Sequence, residues 1–171
     1  VHVDSLAYDN KVTRLTGGAL LNDGRLSVIG LALNYGDGED GLISTFDSSL
    51  NELSSEVIGD QLPDDYQRGM SVTPTDDGGY VLIAEGSFSG TGRDVAVLKV
   101  DGQGVVQWEQ SLGGLDQDWA YDLVKTADQG FLITSELYPD DFQLPNQFHL
   151  FRLDVNGNLL WQNEVLDQGS F

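Results

Sequence analysis

Carboxylates are the chemically capable side chains that this sequence holds in excess. There are 28 Asp and Glu residues against 8 Lys and Arg among 171 residues, which gives a formal net charge of −20. Two carboxylates about 5–10 Å apart could cleave a glycosidic bond, because one can act as an acid and the other as a base or nucleophile. Oxygen-rich acidic loops could instead bind Ca²⁺. The positions of the acidic residues along the sequence indicate which of them serve such chemistry and which have a structural role.

Six of the aspartates recur at equivalent points of successive segments. Three precede an apolar run and three lie between two apolar runs: Asp23, Asp77 and Asp128, and Asp47, Asp101 and Asp154. Aspartate side chains commonly accept hydrogen bonds from the backbone of a turn that they open. A residue that is needed once per segment is better explained by turn structure than by a single active site, so we predict that these six cap turns.

The acidic residues that do not recur are better candidates for function. Four of them fall in residues 33–40 and 138–147, which we predict to be loops: Asp37, Glu39, Asp140 and Asp141. Binding residues concentrate in such loops, and the alternative is a solvated acidic surface. Binding of Ca²⁺ by residues 34–41 remains an alternative, although the EF-hand spacing is absent. Asp40 is equivalent to Asp94 in the second segment but to Gln147 in the third, so a ligand at this position is not shared by all segments. We assign no metal or cofactor site.

Histidine chemistry would depend on His149, because the other histidine, His2, lies near the start of the chain. No Gly-x-Ser-x-Gly sequence accompanies it, so a Ser-His-Asp hydrolase has no support. Ala96 takes the equivalent place in the preceding segment, which favours a packed core or channel histidine over a metal ligand or general base. The glycine-rich residues 86–93 match neither phosphate-binding pattern and are interpreted as a hairpin loop. We therefore assign no catalytic and no cofactor-binding residue.

The tryptophans divide in the same way into recurring and non-recurring positions. Trp108 and Trp161 are 53 residues apart at equivalent points, and we predict that both pack between neighbouring segments. Trp119 is not part of this pattern. Together with Tyr121 it could form a platform for a sugar or a protein, or it could lie on a buried inner strand.

These side chains must be positioned by short strands, because each segment has four apolar runs separated by Gly, Asp and Asn. In the second segment we predict strands at 68–74, 79–86, 94–100 and 105–111. Four antiparallel strands every 51–55 residues are typical of a β-propeller blade. We predict an all-β, propeller-like fold with blades at about 15–67, 68–118 and 119–171, after a strand or tail at 1–14 that could pair with another blade. Because propellers have about 4–8 blades, the ring is partial or is completed by another copy or partner.

The composition removes several classes of function. The absence of cysteine excludes disulfides and thiolate chemistry. The scarcity of Lys and Arg argues against a nucleic-acid partner, and no apolar run approaches the roughly 18 residues of a membrane span. Since the chain begins with Val1, we expect a further segment upstream, such as a leader or a lipid-anchored end.

A set of motifs runs in one order through the second segment: Gly78-Gly79-Tyr80, Lys99-Val100-Asp101, Gly104, Trp108 and Gly113-Gly114. The third segment keeps Gly130-Phe131, Arg152-Leu153-Asp154, Gly157 and Trp161. In these motifs the chain resembles the repeats of β-propeller proteins that are secreted by, or lie on the surface of, Bacteroidota. The resemblance covers about residues 15–171 and implies an extracellular or cell-envelope setting in a bacterium, with no defined chemistry.

The expected function is that of a non-enzymatic acidic module. It would bind another protein, or a second copy of itself, as an accessory or assembly subunit. One alternative is a carbohydrate-binding or glycan-cleaving propeller, which predicts an aromatic side chain and two non-repeating carboxylates clustered at one end of the axis. Another is a scaffold fragment of a larger surface protein.

Overall fold

A computed structural model of the protein describes residues 7–8, 11–34, 38–57, 68–86, 93–102, 105–113, 117–138 and 147–165. The first of its three antiparallel sheets contains β1 (Ala7–Tyr8), β2 (Lys11–Leu20), β3 (Leu26–Asn34), β4 (Gly38–Phe46) and β5 (Glu52–Val57). The second contains β6 (Arg68–Pro74), β7 (Tyr80–Gly86), β8 (Asp94–Val100) and β9 (Val106–Leu112). The third contains β10 (Gln117–Lys125), β11 (Phe131–Tyr138), β12 (Gln147–Leu153) and β13 (Leu159–Val165). Among these residues no helix qualifies by length and hydropathy as a membrane span.

The prediction of an all-β chain is confirmed for the described residues. Each sheet is a meander in which strands that follow one another in sequence are paired. The four strands predicted for the second segment are each found within one residue of the predicted bounds. Their short apolar runs carry β-branched and aromatic side chains between Gly and Asp turns, which is the local chemistry of antiparallel hairpins.

The first sheet includes part of the segment 1–14, which was predicted to be a strand or a tail. β2 begins at Lys11, and Ala7 and Tyr8 pair with Val12 and Lys11 of the same sheet. Pairing of this end with another blade stays a prediction. The predicted loop at 33–40 is wrong for most of its length, because β3 continues to Asn34 and β4 starts at Gly38.

The turns that precede β3, β7 and β11 have the same five-residue form. In the turn of the first sheet, the N–H of Leu21 donates to the carbonyl of Arg25 at 2.7 Å, and the N–H of Gly24 donates to the carbonyl of Leu21 at 3.0 Å. The fourth residue of the turn has a positive φ, which is 85° at Gly24 and Gly78 and 67° at Gln129. Glycine suits this left-handed conformation because it has no Cβ.

The three sheets stack face to face, with the second sheet in the middle. Alternate residues of β7 and β8 form two separate cores, so that every residue of both strands is buried. We call the side that packs on the third sheet the front face of the second sheet, and it carries Val81, Ile83, Val95 and Val97. The back face, which packs on the first sheet, carries Tyr80, Leu82, Ala84, Ala96, Leu98 and Val100.

Both sheet-to-sheet contacts have the same orientation. Phe131 and Ile133 of the third sheet, which are the counterparts of Tyr80 and Leu82, cover the front face of the second sheet. Ile29 of the first sheet, which is the counterpart of Ile83, contacts the back face of the second sheet. Each sheet therefore packs its front face on the back face of the next, and the sheets follow one another head to tail.

Candidate functional site

The recurring aspartates cap turns, as predicted. The Asp47 carboxylate accepts hydrogen bonds from the backbone N–H groups of Ser49 and Asn51 at 2.8 and 2.9 Å, and the amide of Asn51 donates to its second oxygen at 2.8 Å. Asp154 makes the same three bonds in its own turn. The Asn side chain is the main cause of a lowered pKa at both carboxyls, with the backbone donors adding to it. These aspartates are thus satisfied by local structure.

A cation from the third strand also binds the first turn of two sheets. Lys99 Nζ donates to Thr75 Oγ1 at 2.8 Å, to Asp77 Oδ1 at 2.9 Å and to the carbonyl of Val100 at 3.3 Å. The Thr75 hydroxyl, and after it Lys99, lowers the pKa of Asp77 to about 2. These three bonds satisfy the ammonium group of Lys99.

Arg152 takes the place of Lys99 in the third sheet. Its guanidinium donates to Asp128 at 2.5 Å and to the carbonyl of Phe131 at 3.1 Å, and also to the carbonyl of Leu153. The sequence interpretation assigned no role to this cation, although its recurrence two residues before Asp101 and Asp154 was a usable signal.

A cleft of about 500 Å³ opens between the turns of the second and third sheets. Its apolar lining consists of Trp108, Phe131 and Val155. Its polar lining consists of Thr75, Asp76, Asp77, Lys99, Gln107, Gln129 and Asn156. A volume of this size falls in the range of small-molecule sites.

Trp108 lies between the two sheets beside this cleft, which confirms the prediction that it packs between segments. Its ring centroid is 6.1 Å from that of Phe131, with the planes tilted by 58°. Gly157 has a φ of 84° and lies against the indole, since a Cβ placed on it would be 2.7–2.9 Å from three ring atoms. Trp161 does not follow this prediction and stays 41% exposed, because no further sheet covers the third one in the described part of the chain.

Charged side chains cluster at the opposite end of the same contact between sheets. Arg93 lies 4.4 Å over the ring of Trp119 and 3.6 Å from Glu85, a carboxylate that is fully buried. Asp94 and Asp118 are 4% and 0% exposed, and both carboxylates come within 3 Å of the point where Gly113 would carry a Cβ. In the described residues no set of three or more His, Asp or Glu side chains is placed to hold a metal ion.

The arrangement of this cluster does not favour an open platform at Trp119. The guanidinium of Arg93 covers one face of its ring. Tyr121 is 45% exposed, and its hydroxyl is hydrogen-bonded to the carboxylate of Glu136. The two aromatic residues are thus engaged with charged neighbours of their own chain.

The remaining predicted candidates are not brought together. His149 is half-buried and meets Phe151 edge to face, with ring centroids 5.9 Å apart, in agreement with a packed histidine. Glu39 and Asp40 lie on β4, where they pair with Leu33 and Ala32. Four of the candidates lie outside the described residues: His2, Asp37, Asp140 and Asp141.

The fold and the cleft place the protein among all-β chains built from stacked antiparallel meanders. No family model matches the sequence, and no curated protein matches it. A solved structure, a protein of unknown function from Bacteroides caccae, aligns with 90% of this chain and 68% of its own at 10% identity and a TM-score of 0.46.

Proposed function

We propose that the three sheets are consecutive blades of a β-propeller-type repeat, and that the chain is a non-enzymatic acidic interaction module in a bacterial envelope or a secreted protein. One observation carries the proposal, namely the open apolar front face of the third sheet. The shared orientation of successive sheets supports the propeller arrangement, because blades pack in one sense around an axis. The bacterial setting rests on the resemblance to surface propeller repeats.

The second sheet provides the reference for this open face. Its front-face residues are each 0% exposed because the third sheet covers them: Val81, Ile83, Val95 and Val97. Their counterparts on the third sheet are all at least partly exposed: Leu132, Thr134, Phe148 and Leu150. Phe148 reaches 50% exposure. Equivalent positions thus differ in burial only because the third sheet has no covering sheet among the described residues.

The open face continues across the outer strands of the third sheet. Val124, which pairs with Leu132, is 49% exposed, and Val165, which pairs with Phe148, is 46% exposed. Exposed apolar side chains on one sheet face mark an interaction surface, since covering them removes apolar area from water.

The occupant that we infer for this face is a second copy of the chain. A sheet of this chain already covers the equivalent face of the second sheet, so the complementary surface is one that the protein itself makes. Each copy carries a net charge of −20, which opposes association. Salt screens this repulsion, so association should strengthen as the ionic strength rises.

Light scattering coupled to size exclusion tests the proposal at increasing protein and salt concentration. We expect a mass of two chains of 18.6 kDa, more fully populated at high salt. Val124→Glu should abolish association, whereas Val105→Glu, on an exposed valine of a turn in the second sheet, should leave it intact. A mass of one chain under all conditions, or unchanged association of the Val124→Glu variant, would refute the proposal.

A further inference from the structure

The cleft between the turns of the second and third sheets is lined by side chains that the proposed association does not involve. Phe131 is buried at its floor, while Trp108 is half-buried and Val155 is 51% exposed. An apolar floor with a few polar groups around it is the usual construction of a small-ligand site.

Three of the seven polar side chains that line the cleft are amides, and each keeps hydrogen-bonding capacity for a ligand. The side chains of Gln129 and Asn156 make no hydrogen bond with the described residues, and Gln107 uses only its NH₂ group. Asp77 uses one carboxylate oxygen, Oδ1, for its three bonds. The cleft therefore offers both donors and acceptors to a ligand.

Charge narrows the class of ligand. The ammonium of Lys99 is satisfied by Thr75, Asp77 and Val100, and so it does not attract an anion. Asp76 and Asp77 repel anions from the same rim. A cation would use the acceptors but would make no bond with the NH₂ donors of Gln129 and Asn156, whereas hydroxyl groups both donate and accept. From these contacts we propose that the cleft binds an uncharged sugar, with its apolar face on Trp108 and Val155 and its hydroxyls on the amides.

The backbone at Gln129 supports a role for its side chain. Gln129 has φ 67°, and the equivalent residues of the other two sheets are Gly24 and Gly78. A side chain in the left-handed region lowers stability, and such residues concentrate at functional sites. The third sheet thus keeps, at the edge of the cleft, a side chain that its turn would be more stable without.

Two matched glycine variants separate binding from stability. Gln129→Gly removes the cleft side chain and relieves the left-handed strain. Leu50→Gly relieves the same strain, at φ 64°, in a turn of the first sheet that does not line the cleft. Relief of about 1–2 kcal/mol of strain should raise the melting temperature of both variants by about 2–8 °C.

The binding experiment uses an array of uncharged and anionic oligosaccharides, followed by calorimetric titration with the best uncharged binder. We expect selective binding of uncharged sugars, a loss of about tenfold in affinity for Gln129→Gly and for Asn156→Ala, and no change for Leu50→Gly. No binding of any uncharged sugar overturns the proposal, as does full affinity in both cleft variants. The association described above can fail without affecting this result, because the cleft lies within one chain.

Discussion

Replacing Gly157 by alanine tests the contact between the second and third sheets. The new Cβ would lie 2.7 Å from Cε3 of Trp108 and 2.9 Å from Cδ2 and Cζ3. Ordinary carbon contacts are about 3.5–4.0 Å long. The indole would therefore have to move out of the interface, at a cost of about 1–3 kcal/mol for overpacking. The φ of 84° adds about 1–2 kcal/mol for placing a Cβ in the left-handed region.

Gly24→Ala is the matched control for this substitution. Gly24 has φ 85°, and a Cβ on it would meet nothing within 4 Å. The free energy of unfolding of Gly24→Ala should fall by about 1–2 kcal/mol, which is the cost of a Cβ in the left-handed region alone. The free energy of unfolding of Gly157→Ala should fall by about 2–5 kcal/mol. Urea unfolding followed by circular dichroism measures both, and tryptophan fluorescence reports the displacement of Trp108. Equal losses in the two variants would refute the packing of Trp108 against Gly157.

Two further predictions concern the charged turn of the second sheet. The pKa of Asp77 is lowered from 3.8 to about 2 in the folded protein, so its contribution to stability is present above pH 4 and is lost as the pH falls through 2. Thermal melts from pH 5 to 2 should show this loss as a falling melting temperature. Asp77→Asn should flatten the plot of melting temperature against pH. Lys99→Met should lower the free energy of unfolding by about 1–3 kcal/mol, because it removes buried hydrogen-bond donors. The ammonium of Lys125 pairs with Asp76 in the exposed rim, so Lys125→Met should stay within about 1 kcal/mol of the parent protein. A pH-independent melting temperature, or equal losses in the two lysine variants, would contradict these predictions.

The strands and turns of the second segment could be predicted because their causes are local. Apolar runs bounded by Gly and Asp define β7 and β8 to within one residue. Asp47 and Asp154 cap turns through hydrogen bonds that span at most four residues. The information for such contacts lies within the turn itself, and it recurs wherever the same residues recur.

The candidate site could be predicted only in part. Trp108 was correctly expected between segments, but the partners that make its neighbourhood a cleft come from three turns and two further strands. Gln129 was not singled out, although its replacement of the glycine found at positions 24 and 78 was a usable signal. That its backbone stays left-handed, with φ 67°, is shown only by the folded turn. The predicted loop containing Glu39 is wrong because pairing between β3 and β4 extends the strands beyond their apolar residues.

Trp108 and Trp161 show most clearly where local information ends. The two tryptophans occupy equivalent positions and carry the same local signals. Trp108 is half-buried against Gly157, whereas Trp161 is 41% exposed. The positions of strands and turns, and the sheet face to which each side chain points, follow from neighbours in the chain. This is because side chains alternate across a strand and turns close over a few residues. Burial depends on which sheet lies opposite, and that is decided by contacts between residues about fifty positions apart.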